Sequence, residues 1–119
     1  MNRRTIVFAA TALIASADGA SAHARLRSAS PAAGERLSAA PKEVSIVFSE
    51  ALEPKFSTID VHNAAGIRFD TGAARSGVDA KTLVVAVKPL PPGDYTVVWH
   101  ATSIDTHKTE GSYSFMLLG

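Results

Sequence analysis

The chain has 119 residues and a formal net charge of +1, with 12 lysines and arginines against 11 aspartates and glutamates. This length suits a single domain. The absence of cysteine excludes a disulfide framework, a thiolate zinc site, an iron–sulfur cluster, a thiol nucleophile and a lipidated cysteine anchor. A near-neutral charge without a basic cluster argues against a nucleic-acid-binding protein.

The first 22 residues have the pattern of a secretory signal peptide. Residues 1–4 are basic, residues 5–17 are uncharged, and Ala20-Ser21-Ala22 provides the small residues of a cleavage site. The uncharged run is shorter than the about 20 apolar residues that cross a bilayer, so a membrane anchor is the weaker interpretation. Cleavage after Ala22 leaves 97 residues with 10 basic and 10 acidic side chains, and His23 as the first residue.

The remaining chain, residues 23–119, is predicted to be one all-β domain. In residues 43–49, Val44, Ile46 and Phe48 face one way and the residues between them face the other, which is the period of a strand. Residues 32–40 and 73–79 are predicted loops. About seven short strands separated by turns indicate an immunoglobulin-like Greek-key β-sandwich. The predicted strands with explicit bounds are 43–49, 58–62, 67–69, 83–87, 95–101 and 113–118.

The approach to Tyr95 has the pattern of a tyrosine corner. In the segment Leu90-x-Pro92-Gly93-x-Tyr95, proline and glycine favour a turn just before the strand. We expect the Tyr95 hydroxyl to bond back to the backbone upstream, as in other sandwich domains.

His23 would become a metal chelator once the signal peptide is removed. The free α-amine and the imidazole Nδ1 of an N-terminal histidine can bind one metal ion together, and both can be deprotonated near neutral pH. In the precursor that nitrogen is a peptide amide, so cleavage would create the site. The alternative is a histidine that simply lies in solvent, as chain termini often do.

A second pair of donors is Asp105 and His107. If the backbone is extended there, both side chains project to the same side, because the strand period is two. A carboxylate oxygen and an imidazole nitrogen would then converge. The alternative is a polar loop between the last two long strands, with Asp105 starting a turn and His107 playing no part.

Together, His23, Asp105 and His107 form a set of three nitrogens and one oxygen. Tetragonal nitrogen and oxygen sets favour Cu(II), which also heads the divalent affinity order. Zinc accepts similar donors in tetrahedral geometry, so the donor set alone leaves both metals open.

The sequence resembles the small periplasmic copper-binding proteins of the CopC copper-resistance type. The resemblance covers essentially all of residues 23–119 and implies a seven-stranded sandwich that binds one Cu(II) through His23, Asp105 and His107. The matching motifs, in chain order, are His23-Ala24-x-Leu26, Ser28-x-Ser30-Pro31-Ala32-x-Gly34, Phe48-Ser49-Glu50, Leu90-Pro91-x-Gly93-x-Tyr95-x-Val97-x-Trp99 and Ser103-x-Asp105-Thr106-His107-x-x-x-Gly111.

The resemblance implies roles for further residues and a partner. Glu50 matches a family position near the metal, as a weak ligand or a hydrogen-bond acceptor; an exposed charge at a strand end is the alternative. A CopD-type inner-membrane copper transporter is the implied partner. Some relatives bind Cu(I) through a methionine-rich loop, but only Met116 remains after cleavage. His100, where relatives often have arginine, is predicted at the surface or near the site without being a ligand, and His62 is predicted to be exposed.

The sequence favours a periplasmic Cu(II)-binding protein that sequesters copper or carries it to a membrane transporter. We expect no enzymatic activity, because the four protein donors fill the equatorial positions of the metal and leave no room for a substrate. We also expect no nucleic-acid binding, and no membrane insertion after cleavage. The first alternative is a copper monooxygenase with an N-terminal histidine brace. The second is a metal-free immunoglobulin-like interaction module.

Overall fold

The structure, a computed structural model, describes residues 24–119. The predicted signal peptide, residues 1–22, and His23 lie outside the described residues. The part of the chain that is described contains eight strands and a single-turn 3₁₀ helix, Pro54–Phe56. The strands are β1 (Leu26–Ser30), β2 (Arg36–Leu37), β3 (Glu43–Phe48), β4 (Thr58–Asn63), β5 (Arg75–Ser76), β6 (Thr82–Ala86), β7 (Gly93–Thr102) and β8 (Lys108–Leu117).

The strands form two four-stranded sheets, which confirms the predicted β-sandwich. The first sheet has the order β1-β3-β6-β5 and the second has the order β2-β8-β7-β4. All pairs are antiparallel except β2 and β8, which run parallel. Between residues 24 and 119 no helix is long and apolar enough to span a bilayer.

The core lies between the two sheets, where the predicted alternation places its apolar side chains. Val44, Ile46 and Phe48 of β3 are buried, as are Ile59 and Val61 of β4. Burying a side chain of this size contributes about 1.5–3 kcal/mol to folding. The apolar residues at every second position therefore both predict these strands and determine which face of each strand is buried.

The predicted tyrosine corner is present. The Tyr95 hydroxyl donates a hydrogen bond to the carbonyl oxygen of Pro91, and the Tyr95 ring stacks on Phe115 with centroids 5.4 Å apart. These contacts fix the start of β7 against β8. The β7–β8 hairpin, which carries the candidate site at its far end, is thus anchored in the core.

Trp99 fixes the other half of this hairpin. Its ring packs edge-on against Phe48 of the opposite sheet, with centroids 5.0 Å apart. Gly111 pairs directly with Trp99, and a Cβ at Gly111 would lie 2.6 Å from Cζ2 of the indole. Only glycine leaves room for the ring at this point of β8.

Three short segments differ from the sequence prediction. The predicted loops 32–40 and 73–79 contain the two-residue strands β2 and β5, and residues 67–69 form an isolated bridge at Arg68 rather than a strand. Two residues are too few to show the period of a strand. Both β2 and β5 are strands only because they pair with a longer strand, β8 and β6 respectively.

Candidate metal centre

Asp105 and His107 lie together in the loop that joins β7 to β8. The Nδ1 atom of His107 is 3.2 Å from Oδ1 of Asp105, and both side chains are about half exposed. The chain turns here: Thr106 has a φ of 72°, and its N–H donates to the carbonyl oxygen of Ser103 over 2.8 Å. The condition of an extended backbone is therefore not met, and a turn brings the two side chains together.

Ser103, a buried residue, stabilises this turn through hydrogen bonds. It is 1% exposed, its N–H donates to the carbonyl oxygen of His107 over 2.9 Å, and its hydroxyl donates to Oδ1 of Asp105. The hydrogen bond from Ser103, followed by that from His107, holds the pKa of the Asp105 carboxyl below its usual value. Asp105 is therefore an anionic oxygen donor at neutral pH, fixed beside an imidazole.

The start of the described chain is held beside the same loop. Ala24 is 2% exposed, and its carbonyl oxygen accepts a 2.9 Å hydrogen bond from the Thr109 hydroxyl, two residues beyond His107. The N–H of Arg25 donates to the Ser49 hydroxyl over 2.8 Å, and the N–H of Ser49 donates to the Arg25 carbonyl over 2.8 Å. The backbone is thus fixed immediately after His23, which itself lies outside the described residues.

Glu50 is half-buried in a segment that runs along the loop. The N–H of Ile104 donates to the carbonyl oxygen of Ala51 over 3.1 Å, and Leu52 forms an isolated bridge with Ser103. Within residues 24–119, no three or more histidine or acidic side chains gather closely enough to hold a metal ion. The structure therefore brings together Asp105 and His107, and Glu50 lies outside that pair, one residue before the Ala51 contact with the loop.

The other described histidines lie on the second sheet, outside the loop. His100 is exposed and its Nε2 is 3.3 Å from Oε1 of Glu110, which agrees with the predicted surface position. His62 is half-buried rather than exposed, so that expectation is wrong. Its Nδ1 lies 3.8 Å from Oδ1 of Asp60, and its backbone forms an isolated bridge with Arg68.

Two residues that shape the site, Ser103 and Thr109, were not predicted to have a role in it. Both belong to the motif-bearing segment 99–111, but serine and threonine are common in polar loops and carry no metal-ligand signal there. Their contacts with His107 and Ala24 become visible only in the folded chain.

Curated relatives share this sequence over most of its length. Protein YobA of Escherichia coli (strain K12) is 41% identical over 96 residues, which are 79% of this chain and 77% of YobA. Copper resistance protein C of Pseudomonas syringae pv. tomato is 37% identical over 124 residues, covering 97% of this chain and 96% of that protein. Copper transport protein CutJ of Bacillus subtilis (strain 168) is 34% identical over 98 residues, 81% of this chain but only 18% of CutJ.

A solved structure has the same fold. The crystal structure of CopC from Methylosinus trichosporium OB3b superposes with a TM-score of 0.76 at 31% identity, covering 81% of this chain and 94% of that one. A family model described as the CopC domain matches residues 26–118, from the first residue of β1 to just beyond β8. The chain therefore belongs to the CopC family.

Proposed function

We propose that this chain is exported, cleaved after Ala22, and binds one Cu(II) ion in the periplasm. The proposed ligands are the α-amine and imidazole of His23, the carboxylate of Asp105 and the imidazole of His107. The names of the relatives support a role in copper resistance or copper transport. The signal-peptide pattern of residues 1–22 supports export and cleavage.

The hydrogen bond between Thr109 and Ala24 is the observation that carries this proposal. Thr109 fixes the backbone of Ala24, and consecutive Cα atoms are 3.8 Å apart, which supports a site that uses the residue joined to Ala24. Thr109 lies in β8, two residues after His107, which ends the loop before that strand. A chain that begins at His23 would therefore present its new amine close to the Asp105–His107 pair.

The donor chemistry favours Cu(II) over Cu(I). Imidazole, amine and carboxylate are nitrogen and oxygen donors that suit a tetragonal Cu(II) site, whereas Cu(I) prefers thiolates and thioethers. After cleavage at Ala22 the chain has no cysteine and one methionine, Met116, which lies in β8. The anionic carboxylate of Asp105 also offsets the charge of a divalent ion.

Binding, rather than catalysis, is the activity we propose. Four protein donors around a tetragonal ion fill its strong positions, whereas a catalytic metal site keeps one open. Glu50 is proposed to lie just outside the ligand set as a weak ligand or a hydrogen-bond acceptor. The contacts of the two residues that follow it, Ala51 with Ile104 and Leu52 with Ser103, support this place.

The bound copper is proposed to be sequestered or passed to a membrane copper transporter of the CopD type. CutJ supports the second role, because a region similar to this chain makes up 18% of a longer protein named for copper transport. In this proposal the domain would hold Cu(II) near the transporter and would not itself enter the membrane.

Titration with Cu(II) tests the proposal directly. We expect the protein that begins at His23 to bind one equivalent and to give a type-2 electron paramagnetic resonance spectrum with nitrogen hyperfine structure. A chain that binds no copper in competition with a weak chelator would contradict it. Oxygen-dependent oxidation of a substrate above the level of free copper would instead support the monooxygenase alternative.

A further inference from the structure

A second histidine–carboxylate pair lies on the outer face of the second sheet. His100 of β7 and Glu110 of β8 are directly opposite each other in the register, with Nε2 3.3 Å from Oε1. Their side chains are 57% and 75% exposed. Both stand on long, central strands, so the backbone that supports the two donors is fixed.

The neighbouring strand supplies a polar partner for the other imidazole nitrogen. Thr58 of β4 is paired with His100, and its hydroxyl oxygen lies 3.5 Å from Nδ1. Histidines that bind metals usually place their second ring nitrogen against an oxygen, which fixes the ring and the tautomer. Here that arrangement turns Nε2 towards Glu110.

The pair formed by His62 and Asp60 on the same face provides an internal contrast. Their closest approach is 3.8 Å, and Nε of Arg68 lies 3.1 Å from the same Asp60 oxygen. The guanidinium neutralises this carboxylate and places a fixed positive charge where a cation would bind. Glu110, by contrast, has His100 as its ion-pair partner and no arginine or lysine within 4.0 Å in the described chain.

Two shallow depressions border the His100–Glu110 pair and leave space for water. One has a volume of about 310 Å³ and includes Phe56 and Lys108 in its lining, and the other, of about 290 Å³, includes Val98 and Ser112. The positive charge of Lys108, in the lining of the first depression, lowers the attraction of the pair for a divalent cation. The pair is therefore open to a hydrated cation but offers it only two protein donors.

We propose that His100 and Glu110 form a second, exchangeable site for a borderline divalent cation such as Zn(II), with water in the remaining positions. Imidazole and carboxylate are both ordinary zinc ligands. Two protein donors and free access to solvent make this site weaker and faster to exchange than the four-donor centre proposed above. It is separate from that centre, since it uses none of its residues.

Zn(II) titration by calorimetry tests this site in two forms of the protein that begins at His23. The first form carries one equivalent of Cu(II). The second carries His23→Gln, Asp105→Asn and His107→Gln, so that no histidine chelate remains at the N-terminus and failure of the copper proposal does not remove the readout. We expect one zinc ion to bind each form. We expect His100→Gln and Glu110→Gln each to reduce zinc affinity at least about tenfold.

His62→Gln is the matched control and is expected to leave zinc affinity unchanged. Because His100 and Glu110 are exposed, their variants should keep the thermal midpoint of the parent in the presence of a chelator. Zinc binding that is equally strong with and without His100, or the absence of a zinc ion in both forms, would overturn the proposal.

Discussion

The Thr109 hydroxyl donates a 2.9 Å hydrogen bond to the carbonyl oxygen of Ala24, a residue 85 positions earlier in the sequence. This contact joins the beginning of the folded chain to the strand that follows His107. The proposed copper site requires these two regions to be adjacent, because its donors come from both. If that proposal is right, this contact affects metal binding although neither residue is a ligand.

Thr109→Val is expected to weaken Cu(II) binding about fivefold while the domain stays folded. The substitution keeps the shape of the side chain and removes one hydrogen bond, worth about 1 kcal/mol. A competition titration against a chelator of known affinity measures the change. Thr71→Val is the matched control, because Thr71 also donates to a carbonyl, that of Ala86, but away from the loop. Equal losses in both variants would contradict a specific role for Thr109.

Asp105→Asn and His107→Gln are each expected to lower Cu(II) affinity by more than the roughly 10- to 100-fold typical of lost partners of ligands. Both substitutions preserve side-chain size and remove the anionic or nitrogen donor. His62→Gln serves as the control, because His62 lies on β4 beside Asp60. If His107→Gln retained the affinity and spectrum of the parent, His107 would not be a ligand.

Gly111→Ala is expected to destabilise the domain by about 1–3 kcal/mol, the usual effect of overpacking. The added Cβ would lie 2.6 Å from the Trp99 ring, which is held against Phe48 on its other side. Denaturant unfolding followed by Trp99 fluorescence measures the change. Ser112→Ala, at the next and exposed position of β8, should leave the midpoint unchanged. Unaltered stability of Gly111→Ala would show that the indole moves freely.

Asp70→Asn is expected to lower the free energy of unfolding at neutral pH by about 2 kcal/mol, the value typical of a hydrogen bond to a charged group. Burial opposes the ionised form of Asp70, but hydrogen bonds from Arg68 and the N–H of Val61 outweigh it, so the pKa is lowered. A carboxyl with a lowered pKa contributes stability above its unfolded-state pKa and loses it as the pH falls through the folded-state value.

The variant should therefore lose less stability than the parent when both are taken from pH 7 into acid. Unfolding curves at several pH values measure this difference. Asp94→Asn, at an exposed position, is the control and should follow the parent. A variant whose stability falls with pH as steeply as that of the parent would rule out this role for Asp70.

Much of the fold could be predicted because its long strands are periodic. Val44, Ile46 and Phe48 alternate along β3, and the proline–glycine approach to Tyr95 marks the corner before β7. The short strands β2 and β5 could not be predicted, since two residues acquire a strand conformation only through their partners.

The candidate site was predictable in its residue types but not in its geometry. Asp105 and His107 are close because Thr106 adopts a positive φ, a conformation that a β-branched residue rarely takes and that no local pattern announces. The buried hydroxyl of Ser103, which bonds to Asp105, looks from the sequence like any serine in a polar loop.

Removal of the signal peptide is proposed to create a metal-binding amine at His23. The most direct test compares the Cu(II) affinity of a protein that begins at His23 with that of the same protein carrying one extra residue before it. Extension turns the amine into a peptide amide but leaves every side chain in place. We predict a large loss of affinity and a changed electron paramagnetic resonance spectrum on extension. Equal affinity and identical spectra in the two forms would show that the His23 amine is not a ligand.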